Sequence, residues 1–362
     1  MIDGASVGAD AAIAVVAAVA AIDPTLVLQA GWLSDGPLFG LPLTELWYAL
    51  LFFILGTFLF LDGFDFGVGV LFATRSTASD REQLLASIGP FWDGNEVWLV
   101  VFGGALFAAF PEVYATLFSR HYLLMFAILG ALIARGLAPE MYEQRHDDAW
   151  QRWWGRAFVV GSVTAPLFLG VFAANWLLGA TALVSIPSVV VGLALVALST
   201  TGGAAFLGLK TRGRVQRETT VYGPRALLAY LALVVLAVGF LLATRPALRS
   251  DLLSPAVLGL LGASVALGGA YVAAMRRESY VGALAATAGL TYGLVALIAT
   301  VLYPVIDPVT GLTVADAIVS TIPLNLMSIG AALLLPLVFT YFVVLYSAFW
   351  GPVEEGDGYA GE

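Results

Sequence analysis

Residues 45–73 read ELWYALLFFILGTFLFLDGFDFGVGVLFA, an apolar run that begins at Glu45, ends before Thr74-Arg75 and holds two carboxylates, Asp62 and Asp65, within it. A helix that crosses a bilayer needs about 20 predominantly apolar residues, and this run supplies them. Comparable runs follow at about 88–110, 117–138, 157–179, 186–208, 226–243, 255–275, 281–303 and 324–350, nine in all. The whole chain agrees: of its 362 residues 60% are apolar and 11% charged, where a soluble domain carries about 25% charged residues. Mean hydropathy is +0.93. The expected fold is an all-α polytopic membrane protein of about nine transmembrane helices packed as bundles. Short loops with arginine, proline and glycine separate them.

Cytoplasmic loops hold the excess of lysine and arginine. The first, third, fifth and seventh connections contain 13 of the 16 basic residues, Arg135 counted in the third; the even ones hold only Arg120, Arg245 and Arg249. The odd connections are therefore expected in the cytoplasm, with the N-terminus outside and the C-terminus inside. Residues 1–44 read as an external or interfacial extension, because the apolar stretch from Ala11 to Ile22 is broken by Asp23-Pro24 and is too short to span. A tenth span is the alternative. No basic residue precedes that stretch, as a secretory signal would require. Residues 45–350 form the transmembrane domain, and 351–362 a short acidic tail with Glu354, Glu355 and Asp357.

Composition also excludes chemistry. Without cysteine there is no disulfide and no thiolate metal site. Two histidines, His121 and His146, are too few for a multi-histidine centre, so no metal is expected. His121 reads as an interfacial or core hydrogen-bonding residue and His146 as solvent-facing, as is Glu112. The net charge of −9 includes 15 arginines but one lysine, Lys210. A salt-adapted proteome produces that balance; buried arginine and a small soluble surface bias the count the same way. Trp150, Trp153 and Trp154 read as an interfacial aromatic belt. Gly67, Gly69, Gly103 and Gly104 read as points of close helix approach. Asn325, following Pro323, reads as a buried amide that joins helices rather than lining a cavity.

Carboxylates within spans are expensive and mark functional sites by default. Four lie well inside: Asp62 and Asp65 in the first span, and Asp93 and Glu96 in the second, within Pro90-Phe91-Trp92-Asp93-Gly94-Asn95-Glu96-Val97-Trp98. The i, i+3 spacing puts each pair on one helix face. Consecutive spans run in opposite directions, so all four fall at one depth near the expected cytoplasmic face. That is a layout for taking up protons through water and amides such as Asn95. Asp93 equally suits the start of its helix, and Asp65 a proton or subunit-contact role.

At these residues the sequence resembles subunit II of the cytochrome bd-type quinol oxidases. The resemblance rests on Asp62-Gly63-Phe64-Asp65-Phe66-Gly67-Val68-Gly69 and Trp92-Asp93-Gly94-Asn95-Glu96-Val97-Trp98-Leu99. It extends to Gly103-Gly104-Ala105-Leu106-Phe107-Ala108-Ala109-Phe110-Pro111, Val113-Tyr114-Ala115 and Leu324-Asn325-Leu326-Met327. It implies the non-haem subunit of a terminal oxidase in a prokaryotic plasma membrane, which oxidises membrane quinol and reduces dioxygen to water. Two b-type haems and one d-type haem would sit on the partner, subunit I, and none on this chain. Membrane lipid is a further expected partner, with room for a small accessory subunit; nucleic acid is not. The family's proton route falls on Asp65 and Asp93, with Asp62 and Glu96 beside them. Its dioxygen channel passes near Trp98, and Trp92, Gly94 and Asn95 support the motif. Residues 1–44 lack a family counterpart, and Arg120-His121 replaces a small-plus-aromatic pair. Two readings compete: a proton-coupled secondary transporter, for which no internal repeat is evident, and a purely structural membrane subunit whose acids join helices.

Overall fold

Every apolar run becomes a helix. The computed structural model describes residues 31–353, so the Ala11–Ile22 stretch and the acidic residues from Glu354 onward lie outside the described residues. The helices are α1 (Leu43–Phe72), α2 (Ala78–Ile88), α3 (Trp92–Ala109), α4 (Pro111–Arg120), α5 (Tyr122–Glu143) and α6 (Asp148–Leu178). They continue with α7 (Ile186–Lys210), α8 (Gly213–Thr244), α9 (Pro255–Arg276), α10 (Tyr280–Leu302) and α11 (Thr321–Ala348). Eight of them, α1 and α5 to α11, are long and apolar enough to cross a membrane. The remaining expected span is α3, whose 18 residues carry Asp93, Asn95 and Glu96 in the first turns and so fall short of the others in apolarity.

Helix ends follow local chemistry. Asp147 accepts from the Trp150 N–H at 3.0 Å, Ser185 and Ser188 form a reciprocal capping box, and Gly179 ends α6 in the left-handed region at φ 58°. Apolarity alone understated several helices: α6 begins at Asp148 and α8 at Gly213, well before the apolar stretches at 157 and 226. Polar residues end contact with lipid without ending a helix. The connection after the first span likewise folds as α2, capped by Thr77, and buries Leu84, Leu85 and Ile88.

The chain divides into two compact units. The smaller draws the described part of residues 1–43 together with Val319–Phe339. In it Asn325 donates to the carbonyls of Leu33 and Gly36, both at 2.9 Å, and accepts from the Leu38 N–H at 2.9 Å. The amide thus joins α11 to two short helical turns, Gly31–Ser34 and Leu38–Gly40, by pairing backbone groups that those turns leave free at their ends.

The larger unit spans Thr44–Ile318 and Thr340–Glu362. Helix α7 lies within it against α6, α8 and α10. Its small residues permit this: a Cβ on Gly203 would meet the backbone of Gly67 and Val68 on α1, and one on Gly192 would meet the Leu167 carbonyl of α6. Gly67 and Gly69 are therefore close-approach positions as expected. Gly103 and Gly104 are not, since a Cβ on either meets nothing within 4 Å; Gly103 lies instead on the wall of an apolar cavity.

A short antiparallel hairpin, β1 (Val305–Asp307) with β2 (Leu312–Thr313), follows α10. Two or three residues per strand are too few to show alternation in sequence. It is anchored by contacts of its own. The Trp176 indole donates to the Ile306 carbonyl at 2.7 Å. The Arg120 guanidinium donates through both terminal nitrogens to buried Asp307, each at 3.0 Å. Burial alone would raise the Asp307 carboxyl, but the Arg120 fork and the Val309 N–H outweigh it and hold the group below the usual carboxylate range.

Two outcomes are expected. Gly203→Ala forces α7 off α1 and destabilises the protein by about 3 kcal/mol, whereas Gly239→Ala, which has open space around it, is neutral or slightly stabilising; thermal unfolding in detergent compares them. Asp307→Asn costs about 3 kcal/mol by leaving Arg120 without its partner. Because the folded-state value of Asp307 is depressed, its contribution is fully present above about pH 4 and disappears as acid protonates the folded carboxyl. The stability gap between wild type and Asp307→Asn should therefore be constant from neutral pH down to about pH 4 and close below it.

Candidate functional site

Three of the four expected acids meet, around a cation. Arg135 of α5 is 1% exposed and ion-pairs with Asp62 Oδ1, with Asp65 Oδ2 at 3.3 Å and with Glu96 Oε2 at 3.1 Å. The Phe66 ring lies 5.2 Å and the Trp92 ring 5.4 Å from its guanidinium carbon, cation–π contacts that accompany a desolvated arginine. Asp62 and Asp65 share the cation because three residues along α1 bring both to one face. All these groups lie at one end of the bundle, where α1 and α5 finish and α3 begins.

Asn95, fully buried, donates to Asp65 Oδ2 at 2.9 Å and to the Leu61 carbonyl at 3.3 Å. Its Oδ1 accepts from the Tyr346 hydroxyl of α11 at 2.8 Å. The other oxygens, Asp62 Oδ2 and Asp65 Oδ1, are buried without a hydrogen-bond partner among the described residues. Asp93 sits apart: it is exposed in the first turn of α3, and among the described residues no hydrogen bond or ion pair ties it to the cluster. Its position near a helix N-terminus suits a negative charge. Gly94 makes only ordinary contact with Leu345 and Phe342.

Sequence reasoning placed Arg135 in a polar connection and counted it toward orientation. The structure corrects this, since Arg135 lies inside α5; 12 basic residues then stand against 3. The signal was present: Ala131-Leu132-Ile133-Ala134 precedes Arg135 and Gly136-Leu137-Ala138 follows, so a charge stood within an apolar run. Tyr346 and Lys210 were also missed as partners. Lys210, largely buried, donates to the Phe349 carbonyl at 2.7 Å and lies 5.3 Å from the Phe91 ring.

A cavity of about 470 Å³ opens elsewhere in the larger unit, lined almost wholly by apolar groups including Leu59, Leu99, Phe102, Met125 and Trp176. Trp98 is buried and tilted against Phe342 at 5.7 Å; its neighbour Leu99 reaches the cavity and Trp98 does not line it. Neither histidine lines it either. His121 is buried between α4 and α5, edge-on to Phe172, with burial and the adjacent Arg120 holding its imidazole below the usual value. His146 is exposed. One histidine thus packs against protein and the other faces solvent.

The sequence profile described as cytochrome bd terminal oxidase subunit II matches residues 43–349. The chain is 31% identical over 316 residues to the cytochrome bd ubiquinol oxidase subunit 2 of Bacillus subtilis, covering 82% of this chain and 92% of that protein. It is 33% identical over 210 residues to the cytochrome bd-I ubiquinol oxidase subunit 2 of Escherichia coli, covering 53% and 55% respectively. A chain of the bd oxidase structure from Geobacillus thermodenitrificans superposes with a TM-score of 0.69 at 19% identity, over 84% of this chain and 98% of that one; that likeness concerns the fold. A profile match from the first long helix to the end of the last, joined to that degree of identity along nearly the whole Bacillus protein, makes this chain a member of the cytochrome bd terminal oxidase subunit II family.

Proposed function

We propose that the chain is the non-haem subunit of a membrane quinol:dioxygen oxidoreductase, paired with a haem-bearing subunit I, and that it delivers protons toward that partner. One observation carries the proton role. Three carboxylates surround one guanidinium, and two of their oxygens are buried without a hydrogen-bond partner among the described residues. A buried uncompensated charge costs several kcal/mol, on the order of 3–5 when one partner is missing. Such a cluster holds a proton where a second cation is lacking and can pass it on. Reducing dioxygen to water consumes protons, so the chemistry has a use for that capacity.

In this reading Glu96, the partly exposed member of the cluster at 30%, exchanges with solvent. Asp93 in the next turn toward the helix end draws protons to the opening. Asp65 and Asp62 hold the inner position, steadied by Arg135 and Asn95. Haems are assigned to subunit I. Dioxygen access is assigned to the apolar side of α3 around Trp98 and the neighbouring cavity. A proton-coupled transporter could use the same acids, but a profile match from 43 to 349 favours the oxidase subunit.

The acid-bearing end is proposed to face the cytoplasm, with the hairpin outside. A reporter fused after Glu362 should then read cytoplasmic and one fused at Gly311 external; both on one side would overturn the orientation. For the acids, Asp65→Asn or Asp93→Asn should slow quinol-driven oxygen uptake by roughly tenfold or more, the scale of positioned proton transfer. The haem spectrum of the assembled complex should remain nearly intact. Loss of assembly together with haem signal would instead support purely structural acids, and wild-type turnover in both variants would end the proton reading.

A further inference from the structure

We infer that the Tyr346 hydroxyl is a positioning group for the proton site: it holds the Asn95 amide in the one orientation that offers an N–H to Asp65. The inference rests on the proton role proposed above and adds a contribution from the last helix.

An asparagine amide has a donor end and an acceptor end, and packing alone distinguishes them poorly because the two are nearly the same shape. At Asn95 the donor end lies between two acceptors, the Leu61 carbonyl at 3.3 Å and Asp65 Oδ2 at 2.9 Å. The acceptor end meets Tyr346, whose hydroxyl at 2.8 Å is a donor. Rotating the amide would set its oxygen against the Asp65 carboxylate. The Leu61 carbonyl, which only accepts, opposes that rotation, and Tyr346 adds to it by donating to the buried Oδ1 and so anchoring the acceptor end of the amide.

The Tyr346 ring is held by contacts that do not involve its hydroxyl. It stacks on Phe91 at 4.6 Å with an interplanar angle of 23°. Phe91 precedes α3 and lies beneath the Lys210 ammonium, which donates to the Phe349 carbonyl at the end of α11. Lys210 and Phe91 therefore fix where the hydroxyl stands. The groups facing Asp65 are Asp62 from α1, Asn95 and Glu96 from α3, and Arg135 from α5, with Tyr346 of α11 reaching it through Asn95. With the N–H directed at Oδ2, the carboxylate is supported while its unpartnered Oδ1 takes up and gives out the proton. With the amide rotated, a protonated Asp65 would donate to the amide oxygen and retain its proton.

The test uses the assembled oxidase complex and Tyr346→Phe, which keeps the stack and removes only the hydroxyl. Turnover should fall about threefold to tenfold, the range one hydrogen bond spans, with KM for quinol unchanged. The solvent deuterium isotope effect on turnover should rise, which a loss of packing would not cause. In an Asn95→Ala background the same substitution should add nothing. Asn95→Asp, which offers Asp65 no N–H, is the second variant should the Phe complex assemble poorly, and it should slow turnover with the same rise in isotope effect. The proposal is overturned if Asp65→Asn is slow while Tyr346→Phe or Asn95→Asp turns over at the wild-type rate, or if Tyr346→Phe slows the Asn95→Ala complex equally. If Asp65→Asn is itself unimpaired, this inference fails, and if Asp93→Asn is unimpaired as well, the proton role fails with it.

Discussion

A guanidinium with almost no access to water, set among three carboxylates, places demands on everything around it. Burying Arg135 is tolerable only because Asp62, Asp65 and Glu96 reach it from two other helices and two aromatic rings lie beside it. Each acid in turn would be a liability without the arginine, since an unpaired ion in this setting costs several kcal/mol. The ends of α1 and α5 and the start of α3 are thereby held in one register. Three carboxylates face one guanidinium here, and that excess of acid is the ground for the proposed proton role.

The surrounding bundle keeps that arrangement rigid by close backbone approach. Gly67 and Gly203 let α1 and α7 touch where any side chain would separate them. The packing that follows brings Phe64 of α1 onto Phe206 of α7, their rings stacked at 4.3 Å, one helical residue from Asp65. A third glycine lies beside the charged cluster itself: a Cβ on Gly161 of α6 would meet the backbone of Arg135 and push α5 away. At the far end of α10, Arg120 and Asp307 perform a separate task, tying a hairpin to α4.

Much of this could be read in advance, unevenly. The nine apolar runs located nine helices because lipid imposes a length and a composition that little else imposes. Helix ends were read less well: Asp148–Arg156 and Gly213–Arg225 are helical although polar, because backbone hydrogen bonding continues past the apolar zone. Among the acids, spacing correctly joined Asp62 to Asp65, but it also paired Asp93 with Glu96, and only Glu96 turned inward. Arg135 escaped notice because a loop and a helix end look alike when only the count of positive charge is considered. Asn325 was recognised as buried, yet its partners are the carbonyls of Leu33 and Gly36, which no local pattern announces.

The sequence by itself determined the class of the protein, the order of its long apolar helices, and the motif acids that carry the family resemblance, because each of these depends on local composition and on spacing along one helix. Tertiary structure decided which acids share a cation, that this cation is Arg135, that Tyr346 completes Asn95 from the last helix, and that Gly203 rather than Gly103 lies at a helix crossing. Those are contacts between segments separated by tens to hundreds of positions in the chain. Their geometry depends on helix rotation and approach, which arise only when all the faces pack at once.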